Sequence, residues 1–109
     1  SAEREIANFT SAFASSFSDK SKNEVLGALK DLKDFFDKVD QDLAIRRFFS
    51  APVVSIENKL EELEKILLTK DIMVRNFLKL LVSSKIFVKY REIYQNIKKV
   101  LLAKLRIIE

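Results

Sequence analysis

The stretch Ala44–Ser55, AIRRFFSAPVVS, decides how this chain is organised. It holds the one proline of the sequence, paired arginines, paired phenylalanines, and a serine from which a new segment can start. Ala51 precedes Pro52 and is pushed by the proline ring toward extended conformations, so a short helix from about Asp42 to Phe49 must stop here. Ser55 can cap the next helix, and Glu57 in its first turn complements the helix dipole. A helix as short as the one before the proline has too few hydrogen bonds to stand alone. Phe48 and Phe49 can pin it to a larger body while Pro52 turns the chain.

Working outward, the pattern is helical on both sides. In the first segment Ile6, Phe9, Phe13 and Phe17 recur at spacings of three, four and four, one face of an amphipathic helix. Its other positions are unusually small: Ala2, Ala7, Ser11, Ala12, Ala14, Ser15 and Ser16. Small residues let another backbone come close, either a neighbour in the same domain or a partner helix docking from outside. Ser21 and Glu24 have capping-box spacing and open a second helix with Val25, Leu29, Leu32, Phe36 and Val39 inside, running to about Asp40. The fourth helix, from Ser55, carries Leu60, Leu63 and Leu67 to about Leu68. Asp71 can cap a fifth, in which Ile72, Met73, Val74, Phe77, Leu78, Leu80, Leu81 and Val82 are apolar on nearly every side. Such a helix is buried, at the centre of the bundle or in part beneath another protein. The sixth, from about Phe87 to Ile108, is expected to be the longest, with a stripe of Tyr90, Tyr94, Ile97, Leu101, Leu105 and Ile108. The expected fold is therefore all-α, a six-helix bundle in a single domain.

Composition agrees and narrows the chemistry. The chain has 109 residues, 48% hydrophobic and 33% charged, which suits one folded domain rather than a disordered segment. With one glycine and one proline it is poor in helix breakers. It has no cysteine and no histidine. Disulfides and thiolate metal sites are thus excluded, and the commonest general base and metal ligand are missing. One glycine cannot build a phosphate-binding loop, and no calcium-loop spacing occurs. Asp31 with Asp34, and Glu57, Glu61 and Glu64, fall on helix faces with lysines nearby and read as solvated surface. No catalytic residue, metal or cofactor is expected. No apolar run approaches the roughly 18 residues needed to span a bilayer. The chain opens on Ser1 without a methionine, which suggests processing or a trimmed boundary.

The net charge of +4 is unevenly placed: residues 1–83 carry 13 basic and 14 acidic groups, residues 84–109 carry 7 basic and 2 acidic. A basic last helix with Tyr90, Tyr94, Lys98, Lys99 and Lys104 raises the alternative of an RNA-binding module, or of surface contact with a membrane. The tyrosines share the apolar stripe, however, and the cations are not densely clustered. The stronger reading is a scaffold whose first and fifth helices, side by side, form a groove for an amphipathic partner helix.

RRFFSAPVVSIENKLEELEKIL (46–67) and VRNFLKLLVSSKIFVKYREIYQNI (74–97) resemble the delta subunit of F-type ATP synthases, called oligomycin-sensitivity-conferring protein in mitochondria. The family pattern has a short helix ending in bulky apolar residues before Ser/Asn-Pro, a Ser-capped charged helix, then N-F-L-x-x-L-V and a long helix rich in E-I. Here these are Phe48-Phe49, Ala51-Pro52, Ser55 to Leu68, Asn76 to Val82 and Arg91-Glu92-Ile93. FTSAFASSF (9–17) is similar to the family's opening Y-A-x-A-L-F, with phenylalanine for tyrosine. Where many bacterial members have Asn-Gly-Arg, this chain has Ser83-Ser84-Lys85.

The resemblance implies a non-catalytic stator module, peripheral to an energy-transducing membrane on the side of the catalytic head. Residues 1–109 would be the N-terminal domain of such a subunit, with the C-terminal domain, which meets peripheral stalk subunit b, absent from this chain. The implied partner is the N-terminal helix of an ATP synthase alpha subunit, bound in a groove between helices one and five. Residues for that groove are Asn8, Phe9, Ala12 and Ser16 on the first helix, and Met73, Asn76, Phe77 and Leu80 on the fifth. AIRRFFSAPVVS then becomes a structural corner between helices three and four, with no role as a site.

Overall fold

In a computed structural model, which describes residues 1–108 with side chains through Arg106, the described residues form six α-helices and no strand. They are α1 (Ala2–Ser15), α2 (Lys22–Gln41), α3 (Leu43–Ser50), α4 (Ile56–Ile66), α5 (Ile72–Val82) and α6 (Tyr90–Ile108), with a 3-10 helix, Lys85–Lys89, leading into α6. The all-α bundle expected from the periodicity is the fold observed. Ile108, placed on the last helix's stripe from sequence, lies outside the described side chains.

Helix starts follow the sequence closely, because caps are local chemistry. The Ser21 hydroxyl accepts from the Glu24 amide at 3.2 Å, and the Glu24 carboxylate accepts from the Ser21 amide at 3.1 Å, completing the capping box. Ser55 accepts from the Asn58 amide at 3.1 Å, and Asp71 from the Met73 amide at 2.9 Å. Asp42 caps α3 from outside it, accepting from the amides of Ala44 and Ile45.

Helix ends depart from expectation, and tertiary contacts supply the reasons. α4 stops at Ile66 rather than Leu68: the Lys38 ammonium of α2 donates to the Ile66 carbonyl at 3.2 Å, and Leu67 turns extended. Leu67 packs on the core while Leu68 stands in solvent. α1 stops at Ser15, and the next amides bond three residues back (Ser16 to Phe13, Phe17 to Ala14, Ser18 to Ser15), a tightened turn that still buries Phe17. The last helix was expected from Phe87. Instead Ile86 and Phe87, both buried, sit in the 3-10 segment behind a Ser84 cap. That leaves α2, at 20 residues, longer than α6 at 19. The turn at Ser83-Ser84-Lys85 uses no positive φ, so it needs no glycine.

α6 is the backbone of the packing. It lies against α1 and α2 and buries Tyr90, Ile93, Ile97, Leu101 and Leu105. α2 answers with Val25, Ala28, Leu32, Phe35, Phe36 and Val39. Aromatic rings knit the corner to this core. Phe49 is 1% exposed and contacts Phe35 (6.2 Å between centroids) and Phe87 (5.7 Å), while half-buried Phe48 meets it edge-on at 5.5 Å. Each such buried ring stabilises the fold by about 1.5–3 kcal/mol, enough to hold the eight-residue α3 in place. The arginine pair is explained in part: Arg46 donates to the carbonyls of Val39 and Asp40, capping the end of α2.

Asp40 ties that end to α6. Its carboxylate accepts from the Tyr90 hydroxyl and from Arg91, each at 2.7 Å. These two donors hold Asp40 below its ordinary pKa of 3.8, the Tyr90 bond contributing most. Tyr90 is pushed above 10.0, first by burial and then by its bond to Asp40. The signs follow from linkage. With a lowered folded pKa, Asp40 contributes stability that is complete above 3.8 and is lost as pH falls through the folded value. With a raised one, Tyr90 contributes stability that is complete below 10.0 and is lost as pH rises through the folded value. Asp40→Asn is therefore expected to lower stability at pH 7 and to flatten the acid limb of the stability–pH curve, and Tyr90→Phe to flatten the alkaline limb. Urea unfolding across pH 2.5–11 reads both, and unchanged limbs would remove this pair from the account of pH stability.

Candidate functional site

α1 packs closely on α6, and α5 on α4, while α1 and α5 share few close backbone contacts. Phenylalanine rings fill the space between them. Phe77, 6% exposed, meets Phe13 at 4.5 Å and Phe9 at 6.1 Å between centroids. Above these rings runs an open groove of about 470 Å3. Its lining is Asn8, Phe9, Ala12, Phe13 and Ser16 from one side, and Met73, Asn76, Phe77 and Leu80 from the other. All eight residues chosen from sequence line this one groove.

Phe13 lines it too and was not among them. Its signal lies in the sequence: it falls four residues after Phe9 on the apolar stripe of α1.

Local chemistry explains why the walls stand as they do. The hydroxyls of Thr10, Ser15 and Ser16 donate to carbonyls within α1 or its closing turn, so its polar small residues are satisfied without reaching across. That leaves Ala12 exposed with no bulk above the rings. On the other wall, α5 was expected to lie at the centre of the bundle or in part beneath another protein; within this chain it buries Val74, Phe77, Leu78, Leu81 and Val82. Leu80 and Ile72 are each 66% exposed. α5 is braced from behind instead. Arg75 pairs with Glu64 of α4 and donates to the Thr69 carbonyl at 2.8 Å, and Lys79 reaches Glu64 at 3.6 Å. The asparagines stand at the exposed edges, one on each wall, and their amides can offer hydrogen bonds to a ligand lying between them.

Such a groove can hold an apolar ridge; the one hydroxyl in its lining, Ser16, donates to the Phe13 carbonyl, and no acid or base lines the groove beside it. A hollow of similar size, about 460 Å3, lies by the corner at Pro52, Val54, Ile56 and Val88, but Lys59, Lys85, Ser83 and Ser84 share its lining. A smaller one of about 230 Å3 beside α2 is rimmed by Lys30, Asp31, Asp34 and Lys38. Its charges are engaged: Lys30 with Asp34 at 3.2 Å, and Asp31 with the Thr69 hydroxyl.

Of the residues behind the RNA-binding alternative, Lys98 and Lys99 are exposed on α6. Tyr90 is buried, stacked on Phe36 at 6.1 Å and on Phe87 at 5.6 Å, and half-buried Tyr94 meets Phe36 at 5.0 Å. Both rings are committed to the core.

The two residues that flank the groove's centre on α5 should behave oppositely in the free protein. Phe77→Ala removes the ring that bridges Phe9 and Phe13, and is expected to cost about 3–5 kcal/mol in urea unfolding. Leu80→Ala removes a mostly exposed side chain, and is expected to change stability by less than about 0.5 kcal/mol. Equal costs would place Leu80 in the core.

Comparison with curated proteins and with solved structures gives no match. The family model described as ATP synthase delta (OSCP) subunit matches residues 9–109. Its members are non-catalytic stator subunits of the ATP synthase, peripheral to the membrane. No helix among the described residues is long and apolar enough to cross a membrane. With all but its first eight residues matched, the chain belongs to the ATP synthase delta (OSCP) subunit family.

Proposed function

We propose that this domain holds the N-terminal helix of an ATP synthase alpha subunit in the groove between α1 and α5, and so helps keep the catalytic head fixed to the peripheral stalk while the rotor turns. The observation that carries the proposal is the groove itself, about 470 Å3, apolar along its floor, with the exposed Leu80 on its rim. An exposed leucine beside an open aromatic floor costs solubility in a free protein and is what an amphipathic helix would cover. Residues 1–109 act in this reading as the N-terminal domain of a delta-type subunit, and contact with stalk subunit b belongs to a C-terminal domain outside them. The domain holds no cofactor and does no chemistry. Its contribution is mechanical.

The test is a calorimetric titration with a peptide of about 25 residues, long enough for several helical turns, from the N-terminus of the same organism's alpha subunit. Saturable 1:1 binding with a negative heat-capacity change, the mark of apolar burial, is expected. Ala12→Asp and Leu80→Asp each place an unpaired charge in the contact and are expected to weaken binding about 30-fold or more, about 2 kcal/mol. Both positions are exposed, so thermal unfolding should change little. Absence of binding at high micromolar peptide would remove the assigned partner. Salt-dependent retention of RNA, lost on replacing Lys98, Lys99 and Lys104, would instead favour the nucleic-acid reading.

A further inference from the structure

On the inward face of α4 a lysine occupies a core position. Lys59 stands one turn before Leu63, and both are buried, Lys59 at 9% exposure and Leu63 at 0%. Lysine is almost never buried to that degree without an anionic partner. Among the described residues Lys59 has neither an ion pair nor a hydrogen bond. No fully enclosed side-chain nitrogen among those residues lacks a partner, so the Lys59 ammonium keeps an open edge. The space it borders is the hollow of about 460 Å3 at the corner. A stem buried beneath a solvated head would be ordinary. What sets Lys59 apart is the company of its head. Lys85, exposed and likewise unpaired among the described residues, lines the same hollow, and no aspartate or glutamate does. Ser50 adds a hydroxyl with no partner among those residues, and Ser84, whose oxygen accepts from the Ile86 amide at 3.1 Å, keeps its own O–H to donate. The remaining lining is apolar, with the rings of Phe49 and Phe87 5.7 Å apart and the side chains of Ile56 and Val88 more than half exposed.

We propose that this hollow binds a small amphiphilic carboxylate, a fatty acid of modest chain length, with its alkyl body against Phe49 and Phe87 and its carboxylate on Lys59 and Lys85. A carboxylate accepts from ammonium groups and hydroxyls together, and supplies the negative charge that the lining lacks. The volume falls within the range of small-molecule sites, and apolar walls with a few polar groups are their usual make-up. The hollow is also more enclosed than the groove between α1 and α5, which suits a small molecule over a protein segment. The two share no lining residue, so this site stands apart from the groove reading above. The corner, expected from sequence to be structural only, becomes one wall of a site. A ligand there would tie the end of α3 and the start of α4 to the turn before α6, and would stabilise the folded state by mass action.

The experiment titrates octanoate, octanol and acetate into the chain, following amide NMR signals and thermal unfolding. Octanoate is expected to shift the amides of Ser50, Lys59 and residues 84–88, to leave those of Asn8, Ala12 and Leu80 in place, and to raise Tm. Octanol, the same body without the charge, is expected to bind about tenfold more weakly, about 1.4 kcal/mol. Acetate, the charge without the body, is expected to shift nothing at equal concentration. Lys59→Met keeps the bulk of the stem, and is expected to hold or raise Tm, to weaken octanoate about tenfold and to leave octanol unchanged. Lys85→Met alters an exposed position that the fold does not depend on, and is expected to weaken octanoate about threefold. Octanoate that leaves the corner amides unmoved, or moves those of the groove instead, overturns the site. Equal affinity for octanoate and octanol, or octanoate binding unchanged in both methionine variants, overturns the carboxylate assignment. A large loss of Tm in Lys59→Met would return that lysine to a purely structural role, and Lys85→Met would then decide whether the hollow selects an anion.

Discussion

Three phenylalanine rings join α1 to α5, and the open groove lies over that junction. Phe9 and Phe13 from α1 meet Phe77 from α5 in edge-on and tilted contacts. The edge-on geometry is one that aromatic pairs favour. α6 fixes α1 from below, while Glu64 of α4 anchors α5 through Arg75 and Lys79. Both walls also rest on the 3-10 segment Lys85–Lys89. A helix entering the groove meets a shape that already exists, so little ordering of the site opposes its binding.

How much of this could be read in advance depended on the range of the interaction. Caps are set by residues two or three apart, and Ser21, Ser55 and Asp71 cap where their spacing says. The groove residues follow helical spacing on two helices, so Asn8, Phe9, Ala12 and Ser16 had to share one face, as did Met73, Asn76, Phe77 and Leu80. The small residues of the first helix and the all-round apolar fifth pointed to a groove between them, and the resemblance implied the same pairing. Helix ends were less legible. Nothing near Ile66 in the sequence announces that Lys38, 28 residues earlier, takes its carbonyl. The same holds for Asp40, where Tyr90 and Arg91 arrive from 50 and 51 residues away.

The corner at Ala44–Ser55 shows how aromatic and charged residues divide the labour. Phe49 fastens α3 into the core, and Arg46 fastens it to the end of α2. α2 is in turn secured to α6 by Asp40. The short helix is therefore held to α2 and to the 3-10 segment by side chains, and does not depend on its own marginal hydrogen bonding. The excess positive charge of the last 26 residues is spread along α6, where Arg91 is drawn into this network and Lys98, Lys99 and Arg106 face solvent.

The groove's lining is asparagine, phenylalanine, alanine, serine, methionine and leucine, and no histidine occurs anywhere in the chain. No side chain of that kind gains or loses a proton across the physiological range. A helix held there would feel the same floor whether the surrounding medium is mildly acidic or mildly alkaline. If the groove holds a helix as proposed, the contact made by its lining would keep the same charge across that range.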